Sequence, residues 1–380
     1  MNTSKPRLAT ANVIYFVIVH LLALVAAPLW GVLVGFSGWA WLTAGVIWLF
    51  SGLSITAGYH RLWSHRSYQA AWPLRLFFVI SGTFALQNSV LVWCARHRLH
   101  HRFVDDVEHD PHSIRTGFWH AHIGWMLRHW PSSAVDFSQV RDLQRDPLLK
   151  WQHRHYWLLT WLLNLGVPAL VGLLVGEVIG MVLLAGAARL VFSQHCTFFI
   201  NSLAHSWGKR HYSDENTSRD NGWLALLTWG EGYHNFHHAF QADFRNGTRW
   251  WHFDPGKWLI AACSSVGLAS ELKRTPSFRI RRARVQMQFR QLESELASVD
   301  ASETWGQAIE REYQQFMDIV SQWQAVQAER VQAGGSALRN HWHKHAFRKR
   351  LRELDQELKA QARRLASLQH DCQSGSRGAS

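Results

Sequence analysis

The sequence predicts an all-α protein: four transmembrane helices, a helical cap gathering histidines at one membrane face, and long C-terminal helices. Three observations predict it. From Leu8 to Tyr59 the chain carries no Asp, Glu, Lys or Arg, and a second apolar block runs from Tyr156 to Ile200. Histidine clusters lie beside these blocks, as His60-Arg-Leu-Trp-Ser-His65, His97-Arg-Leu-His100-His101 and His234-Asn-Phe-His237-His238. From about Pro276 the composition turns to Glu, Gln, Arg, Ala and Leu at helical spacing.

The first block is long enough to cross a bilayer twice, since one crossing takes roughly 20 apolar residues. Pro28, Gly31, Gly35 and Gly38 mark its reversal, and Gly176-Glu177 interrupts the second block. The expected crossings are residues 11–33, 38–59, 155–175 and 178–202. The two turns lack Lys and Arg, whereas Lys5, Arg7, the segment from Arg61 to Arg154 and the chain after Lys209 are rich in them. By the positive-inside rule both termini and the histidine-bearing face are expected in the cytoplasm of a multi-pass membrane protein. No basic-apolar-small leader precedes the first crossing, so cleavage is not expected.

Residues 72–92 are apolar, but Arg75 and the flanking histidines argue against a crossing, so this stretch is expected as one helix at the interface. Residues 103–154 are polar, with Asp110-Pro111 and Asp146-Pro147 as breakers. The domain boundaries follow: 1–270 as the membrane domain and 276–380 as a charged, coiled-coil-like appendage. In the latter, Leu292, Leu296, Leu351, Leu354 and Leu358 form apolar stripes, Gly334-Gly335-Ser336 is the expected turn, and a frayed tail starts at Cys372. His341, His343 and His345 alternate instead of repeating at helical spacing and are not read as metal ligands.

The formal net charge of +13 invites a nucleic-acid reading. With two apolar hairpins present, anionic lipid headgroups and an anionic substrate are the expected partners, and nucleic acid is not. The 22 tryptophans suit extensive membrane interface. Cys94, Cys196, Cys263 and Cys372 have no metal or redox spacing and read as free thiols.

In a His-x-x-His-His run on a helix, residues three and four apart share a face. His97, His100 and His101 therefore point at one site, as do His234, His237 and His238. His60 and His65, five apart, do not share a face of a regular helix, so His60 is expected at a helix end and His65 on the returning segment. Eight histidines exceed the four ligands of a tetrahedral zinc, which makes two metal ions the simplest reading. Asn201 and His205, four apart at the end of the last apolar block, form a further candidate pair. His122 and His195 are candidates to support the ligands from behind. Arg189, inside an apolar block, is either functional or paired structurally with Glu177. Imidazole-rich iron sites with open positions can activate dioxygen, and a membrane-face site suits a lipid-like substrate. No Gly-rich phosphate loop, dinucleotide fingerprint or nucleophile–base pair competes with this reading.

The stretch Thr56-Ala-Gly-Tyr-His60-Arg-Leu-Trp-Ser-His65-Arg-Ser-Tyr68 resembles the first histidine box of the membrane delta-9 fatty acid desaturases, the stearoyl-CoA/acyl-CoA desaturase family. His97 to Pro111 is similar to the second box. Asn201-Ser-Leu-Ala-His205-Ser-Trp-Gly208 is similar to the family's Asn-Ser-x-x-His-x-x-Gly segment. Gly230-Glu-Gly-Tyr-His234-Asn-Phe-His-His238, Asp243-Phe-Arg-Asn-Gly247 and Phe253-Asp-Pro-Gly-Lys-Trp258 are similar to the third box and its trailing signature. The resemblance covers roughly residues 12–265.

The resemblance implies a cytoplasmic cap over four membrane helices and a non-haem centre of two iron ions. His60, His65, His97, His100, His101, His205, His234, His237 and His238 would be the metal ligands, with Asn201 reaching one iron through water. It implies an oxidoreductase that uses dioxygen and two electrons to place a cis double bond at carbon 9 of a long-chain saturated acyl group, held in a bent tunnel between the helices. Acyl-CoA members usually carry Arg-Asp just before the first histidine of the second box; here those positions are Ala95 and Arg96. This leaves the carrier open between CoA and phospholipid, with Arg96 as a candidate headgroup contact. No His-Pro-Gly-Gly haem signature occurs, so a separate ferredoxin, cytochrome or flavin reductase is the expected electron donor. The alternatives are a di-iron hydroxylase or oxygenase on the same scaffold, or a non-catalytic metal-binding membrane scaffold.

Overall fold

The computed structural model describes residues 6–297, 303–332 and 341–377 and is almost entirely helical. Four helices are long and apolar enough to cross a membrane: α1 (Thr10–Leu33), α2 (Gly38–Ser64), α6 (Tyr156–Val175) and α7 (Val178–His205). Between them lie α3 (Trp72–Thr83), α4 (Val90–Arg102) and α5 (Pro147–Arg154); after them come α8 (Gly222–Leu227), α9 (His234–Ala239) and α10 (Pro255–Ser265). The protein is an integral membrane protein with the expected pattern of four crossings.

Small side chains set the packing. Ala40, Ala44 and Ile47 of α2 meet Met181, Leu184 and Ala185 of α7. Val19 and Ala23 of α1 meet Ala187, Leu190 and Val191 on another side of α7. Small residues let helices approach closely where lipid competes equally for apolar contact. As a result 61% of the apolar stretch of α7 is buried, against 17% for α6. Val32 and Leu174 are 84% and 79% exposed on the outer helices, the disposition of lipid-facing residues. Gly176, with φ of 77°, closes the α6–α7 turn in the left-handed region that glycine enters freely.

Three local structures differ from expectation. Helix α2 does not end at His60. It widens from Ser54 to Ser64 into a π-type helix whose hydrogen bonds span five residues, such as His65 N–H to His60 C=O at 3.1 Å. In that winding positions five apart stack, and His60 and His65 come to one face. The interfacial stretch 72–92 is two helices instead of one. The chain breaks between Thr83 and Val90, with Leu86 and Asn88 at φ of 51° and 74°, and Ser89 restarts it by capping Val92 N–H. Arg189 does not pair with Glu177. It donates to the carbonyls of Ala185 (2.9 Å) and Phe84 (2.8 Å) and to Asn164 Oδ1 (2.9 Å), while Glu177 receives Ser37 N–H at 3.2 Å.

A two-residue antiparallel ladder, β1 (Gln69–Ala70) with β2 (Ala269–Ser270), ties the segment after α2 to the segment after α10. The cap's core is formed by Tyr59, Trp63, Phe78, Cys94, Leu149, Phe244 and Ile260.

The chain divides into two compact units, residues 1–209 with 215–274, and residues 210–214 with 275–380. In the second unit α11 (Ser277–Ala297), α12 (Glu303–Gln332) and α13 (His341–Arg377) bury Phe278, Phe289, Leu292, Phe316, Leu354 and Leu358 together. Gly334-Gly335-Ser336 and the side chains of His341, His343 and Cys372 lie outside the described residues. Helix α13 runs past Cys372 to Arg377, where the sequence suggested fraying.

Candidate functional site

Nine imidazoles converge in two groups. His60, His65, His97, His101 and His237 have one ring nitrogen each within 4.8 Å of all the others, and so do His100, His205, His234 and His238. The sequence suggested that each His-x-x-His-His run serves one point; the structure divides each run. His97 and His101, four apart on α4, join the first group while His100 joins the second. On α9 the division is reversed, with His234 and His238 in the second group and His237 in the first. The groups are neighbours, since the His101 and His238 rings stack with centroids 4.3 Å apart.

Within each group the Nε2 atoms face one another. The separations are 2.8 Å for His65–His97, 2.9 Å for His101–His237 and 3.0 Å for His60–His237. In the second group His234 lies 3.1 Å from both His205 and His238. A single nitrogen has one proton or one lone pair to offer, so His237 and His234 cannot satisfy two facing nitrogens each by hydrogen bonding. An ion with imidazole bonds of ~2.1 Å holds ligands at right angles ~3.0 Å apart, whereas a tetrahedron spreads them to ~3.4 Å. The spacing would suit one cation held by each group.

Ring protonation points the same way. Burial first, and then the neighbouring imidazoles, push His65, His97, His101, His237 and His238 well below the usual histidine range. Burial likewise brings His234 down to about 3. Neutral imidazole is the metal-binding form.

The far ring nitrogens are held by carboxylates and a hydroxyl. His60 Nδ1 lies 3.0 Å from Glu231 Oε2, His100 Nδ1 3.0 Å from Asp110 Oδ1, and His205 Nδ1 2.8 Å from Thr217 Oγ1. Thr217 donates in turn to Asp105 Oδ1 at 2.6 Å. Such contacts fix the tautomer and aim Nε2 inward. Glu231 also accepts from Thr56, from Arg61 at 3.3 Å and from Asn246 at 2.7 Å; Arg61 pairs with Asp254 at 2.8 Å. Burial would raise the Glu231 carboxyl, but His60 and Arg61 outweigh it and hold it well below the carboxylate range. Asp110, despite its burial, is brought down to about 2 by His100 and His112.

These supporting residues are not the ones the sequence suggested. His122 and His195 bond to each other at 2.9 Å, and His195 to His20 at 2.9 Å; among the described residues neither is hydrogen-bonded to any of the nine. The signal for Glu231 was its place between Gly230 and Gly232 just ahead of the third cluster. Asn201 is half-buried on α7, four residues before His205. Ala95 is 1% exposed, packed in the core with Tyr59, Trp63 and Cys94. Arg96 is half-buried, its guanidinium 5.4 Å from the Trp125 ring centroid and donating to Ser133 C=O at 3.2 Å.

A chamber lies next to Glu231, the carboxylate that holds His60. Thr56 and Glu231 line it near His60, Gln87 and Thr197 line its flank, and Trp48, Gly52 and Trp229 are also among its walls. Gln87 bridges Trp93 Nε1 (3.1 Å) to Thr197 Oγ1 (2.9 Å).

Residues 39–265 match the family model described as fatty acid desaturase. The chain is 42% identical over 256 residues to acyl-CoA desaturase 1 of Saccharomyces cerevisiae, covering 67% of this chain and 49% of that one. It is 40% identical over 278 residues to a probable acyl-CoA desaturase of Schizosaccharomyces pombe, covering 72% of this chain and 57% of that one. It is 37% identical over 282 residues to an sn-1 stearoyl-lipid 9-desaturase of Synechocystis, covering 72% and 84%. The match thus spans about half the length of the two fungal relatives. Four membrane-length helices, a histidine array fit for metal and the matched family model together assign this chain to the fatty acid desaturase family.

Proposed function

We propose that the chain is an oxygen-dependent acyl desaturase that introduces a cis double bond at carbon 9 of a long-chain saturated acyl group. One observation carries the reading: two adjacent imidazole groups, of five and four histidines, stand next to a chamber lined by Glu231, the partner of His60, and by Trp48 and Gly52 of α2. His60, His65, His97, His101 and His237 would hold one iron ion. His100, His205, His234 and His238 would hold the other, with Asn201 filling a further position through water. Iron bound there supplies the dioxygen-dependent oxidation of an unactivated C–H bond.

The chain's own residues do the rest. Glu231, Asp110 and Thr217 fix the ring tautomers and aim the Nε2 atoms inward. The chamber would hold the alkyl chain, with Gln87 and Thr197 giving its lining a polar edge. Regiochemistry would follow from the distance between the headgroup anchor and the metal pair. The fungal relatives are named for acyl-CoA and the cyanobacterial one for a stearoyl-lipid, so both carriers belong in the test. Arg96 remains the candidate headgroup contact. Two electrons would come from a separate ferredoxin, cytochrome or flavin reductase, and both termini and the histidine face would be cytoplasmic.

The test is expression in a host lacking unsaturated fatty acids, with mass spectrometry of the acyl products and iron analysis of the purified protein. A C9 cis-alkene and about two irons per chain are expected. A hydroxy acid without an alkene would assign the chain to the hydroxylase reading instead. Purified enzyme given stearoyl-CoA or stearoyl phospholipid then identifies the carrier.

A further inference from the structure

Cations and carboxylates are segregated along the helices of the second unit. Residues 277–290 of α11 hold Arg279, Arg281, Arg282, Arg284 and Arg290 and no Asp or Glu. Residues 341–352 of α13 hold Lys344, Arg348, Lys349, Arg350 and Arg352, again with no Asp or Glu. The carboxylates come later, as Glu293 and Glu295 on α11 and Glu353, Asp355 and Glu357 on α13. This order runs against the helix macrodipole, which favours carboxylates in the first turn, where neither helix has one. Arg348 and Arg352 also stand four residues apart on one helix face, where like charges repel. The arrangement does not serve the stability of the helices themselves.

Packing gathers the two basic runs at one end of the bundle. Arg281 pairs with Asp355 at 3.0 Å, which sets α11 beside α13. Phe278 stacks on Trp323 and Phe289 meets Tyr313, so α12 runs antiparallel to α11. Arg364 of α13 reaches Glu312 of α12 at 3.1 Å. Phe289 and Arg364 are thus at one level, Arg281 and Asp355 at another, and α11 and α13 run parallel. Arg279 then lies within about one turn of Arg352 along the bundle. Phe347, Leu351, Leu354 and Leu358 turn into the core, which leaves Arg348, Lys349, Arg350 and Arg352 exposed, as Arg279 is. Among the described residues, Lys349 is the one of these five with a carboxylate in reach, Glu353 at 3.9 Å, and an exposed pair of that kind contributes little.

We infer that this basic end of the C-terminal bundle, built from Arg279, Arg348, Lys349, Arg350 and Arg352, is a docking surface for the anionic phospholipid headgroups of a bilayer. A cluster of about four to eight lysines and arginines on an amphipathic helix is attracted to such headgroups. The chain supplies the surface at close range: the membrane-embedded unit ends at residue 274 and α11 begins at Ser277. Each cation brought to an anionic bilayer favours the docked state about fivefold. The inference is independent of the reaction carried out at the histidine groups.

The test places the full chain in nanodiscs of phosphatidylcholine alone or mixed equally with phosphatidylglycerol. The rate at which phenylglyoxal modifies each guanidinium is read by peptide mass spectrometry. Arg279, Arg348, Arg350 and Arg352 should react about fivefold more slowly in the mixed discs. Arg311 and Arg363, exposed farther along the same bundle, should react equally in both. Salt at about 1 M, where the Debye length is ~3 Å, should erase the difference. Arg348→Glu, Arg350→Glu and Arg352→Glu made together should return Arg279 to its rate in neutral discs. All three side chains are exposed, so the fold should persist, and circular dichroism checks that it does. A change under about twofold at the four arginines would overturn the inference. Equal slowing of Arg311 and Arg363 would overturn it as well. Slowing by added polyglutamate but not by the mixed discs would assign the surface to an acidic protein instead of a bilayer.

Discussion

His60 Nδ1 lies 3.0 Å from Glu231 Oε2, and both side chains are almost fully buried. Through this contact one carboxylate orients a histidine of the first group while also receiving Arg61 and Thr56. Glu231→Gln keeps the shape but removes the charge. Metal affinity or turnover should fall by roughly 10–100-fold. Folding should survive, since Arg61 retains Asp254. Iron content and turnover measured on the same preparation check this; turnover within twofold of wild type would remove Glu231 from the role given it.

His97→Ala and His238→Ala each take a nitrogen from a different group. Both should abolish desaturation, and each should lower the iron found in purified protein. His122→Ala is the contrast. Its ring bonds His195 and Ser202 and none of the nine among the described residues, so that variant should keep at least about half of its iron and activity, as residues outside a metal's supporting contacts do. Loss of iron in His122→Ala equal to that in His97→Ala would contradict the grouping.

Arg189 is a buried cation answered only by neutral oxygens among its hydrogen bonds, one of them Asn164 Oδ1 at 2.9 Å. Asn164→Leu strips an acceptor from a charge and should destabilise the detergent-solubilised protein by ~2–3 kcal/mol. Adding Arg189→Met should recover part of that loss, because the orphaned charge is gone. A double variant no more stable than Asn164→Leu would show that Arg189 earns its place by other means.

Burial, reinforced by the facing His195, pushes His122 down to about 4. A folded-state pKa below the unfolded value of ~6.5 means the fold favours the neutral ring. That stability is complete above pH ~6.5 and is lost as pH falls towards 4. Metal-free protein should therefore lose roughly 2–4 °C of melting temperature for each kcal/mol removed over this window. His122→Gln should flatten part of the slope, and an identical slope in that variant would refute the assignment.

Much of this was legible from residue order. Charge-free blocks are the direct imprint of a hydrocarbon solvent, so the four crossings and their turns at Gly35 and Gly176 emerge within a few residues. Spacings of three and four residues placed the histidines of α4 and α9 on helical faces. What escaped was set by winding and by distant partners. His65 reaches the face of His60 because α2 winds wider than an α-helix there, which no regular period announces. The division of His97 and His101 from His100 depends on how α4 and α9 cross. Glu231 and Asp105 meet histidines 171 and 100 positions away in sequence, and nothing local marks a carboxylate as the partner of a remote ring.

The exchange of ligands between α4 and α9 also bears on assembly. Each helix contributes to both groups, in opposite proportion. Under the proposed reading, a first ion would immobilise both helices and so set three of the second ion's ligands, His100, His234 and His238, before it arrives. The ordering entropy for that second event would already be spent. Titration of metal-free protein should accordingly pass from empty to fully loaded with few singly loaded molecules, so that the pair of ions behaves as one unit of supply.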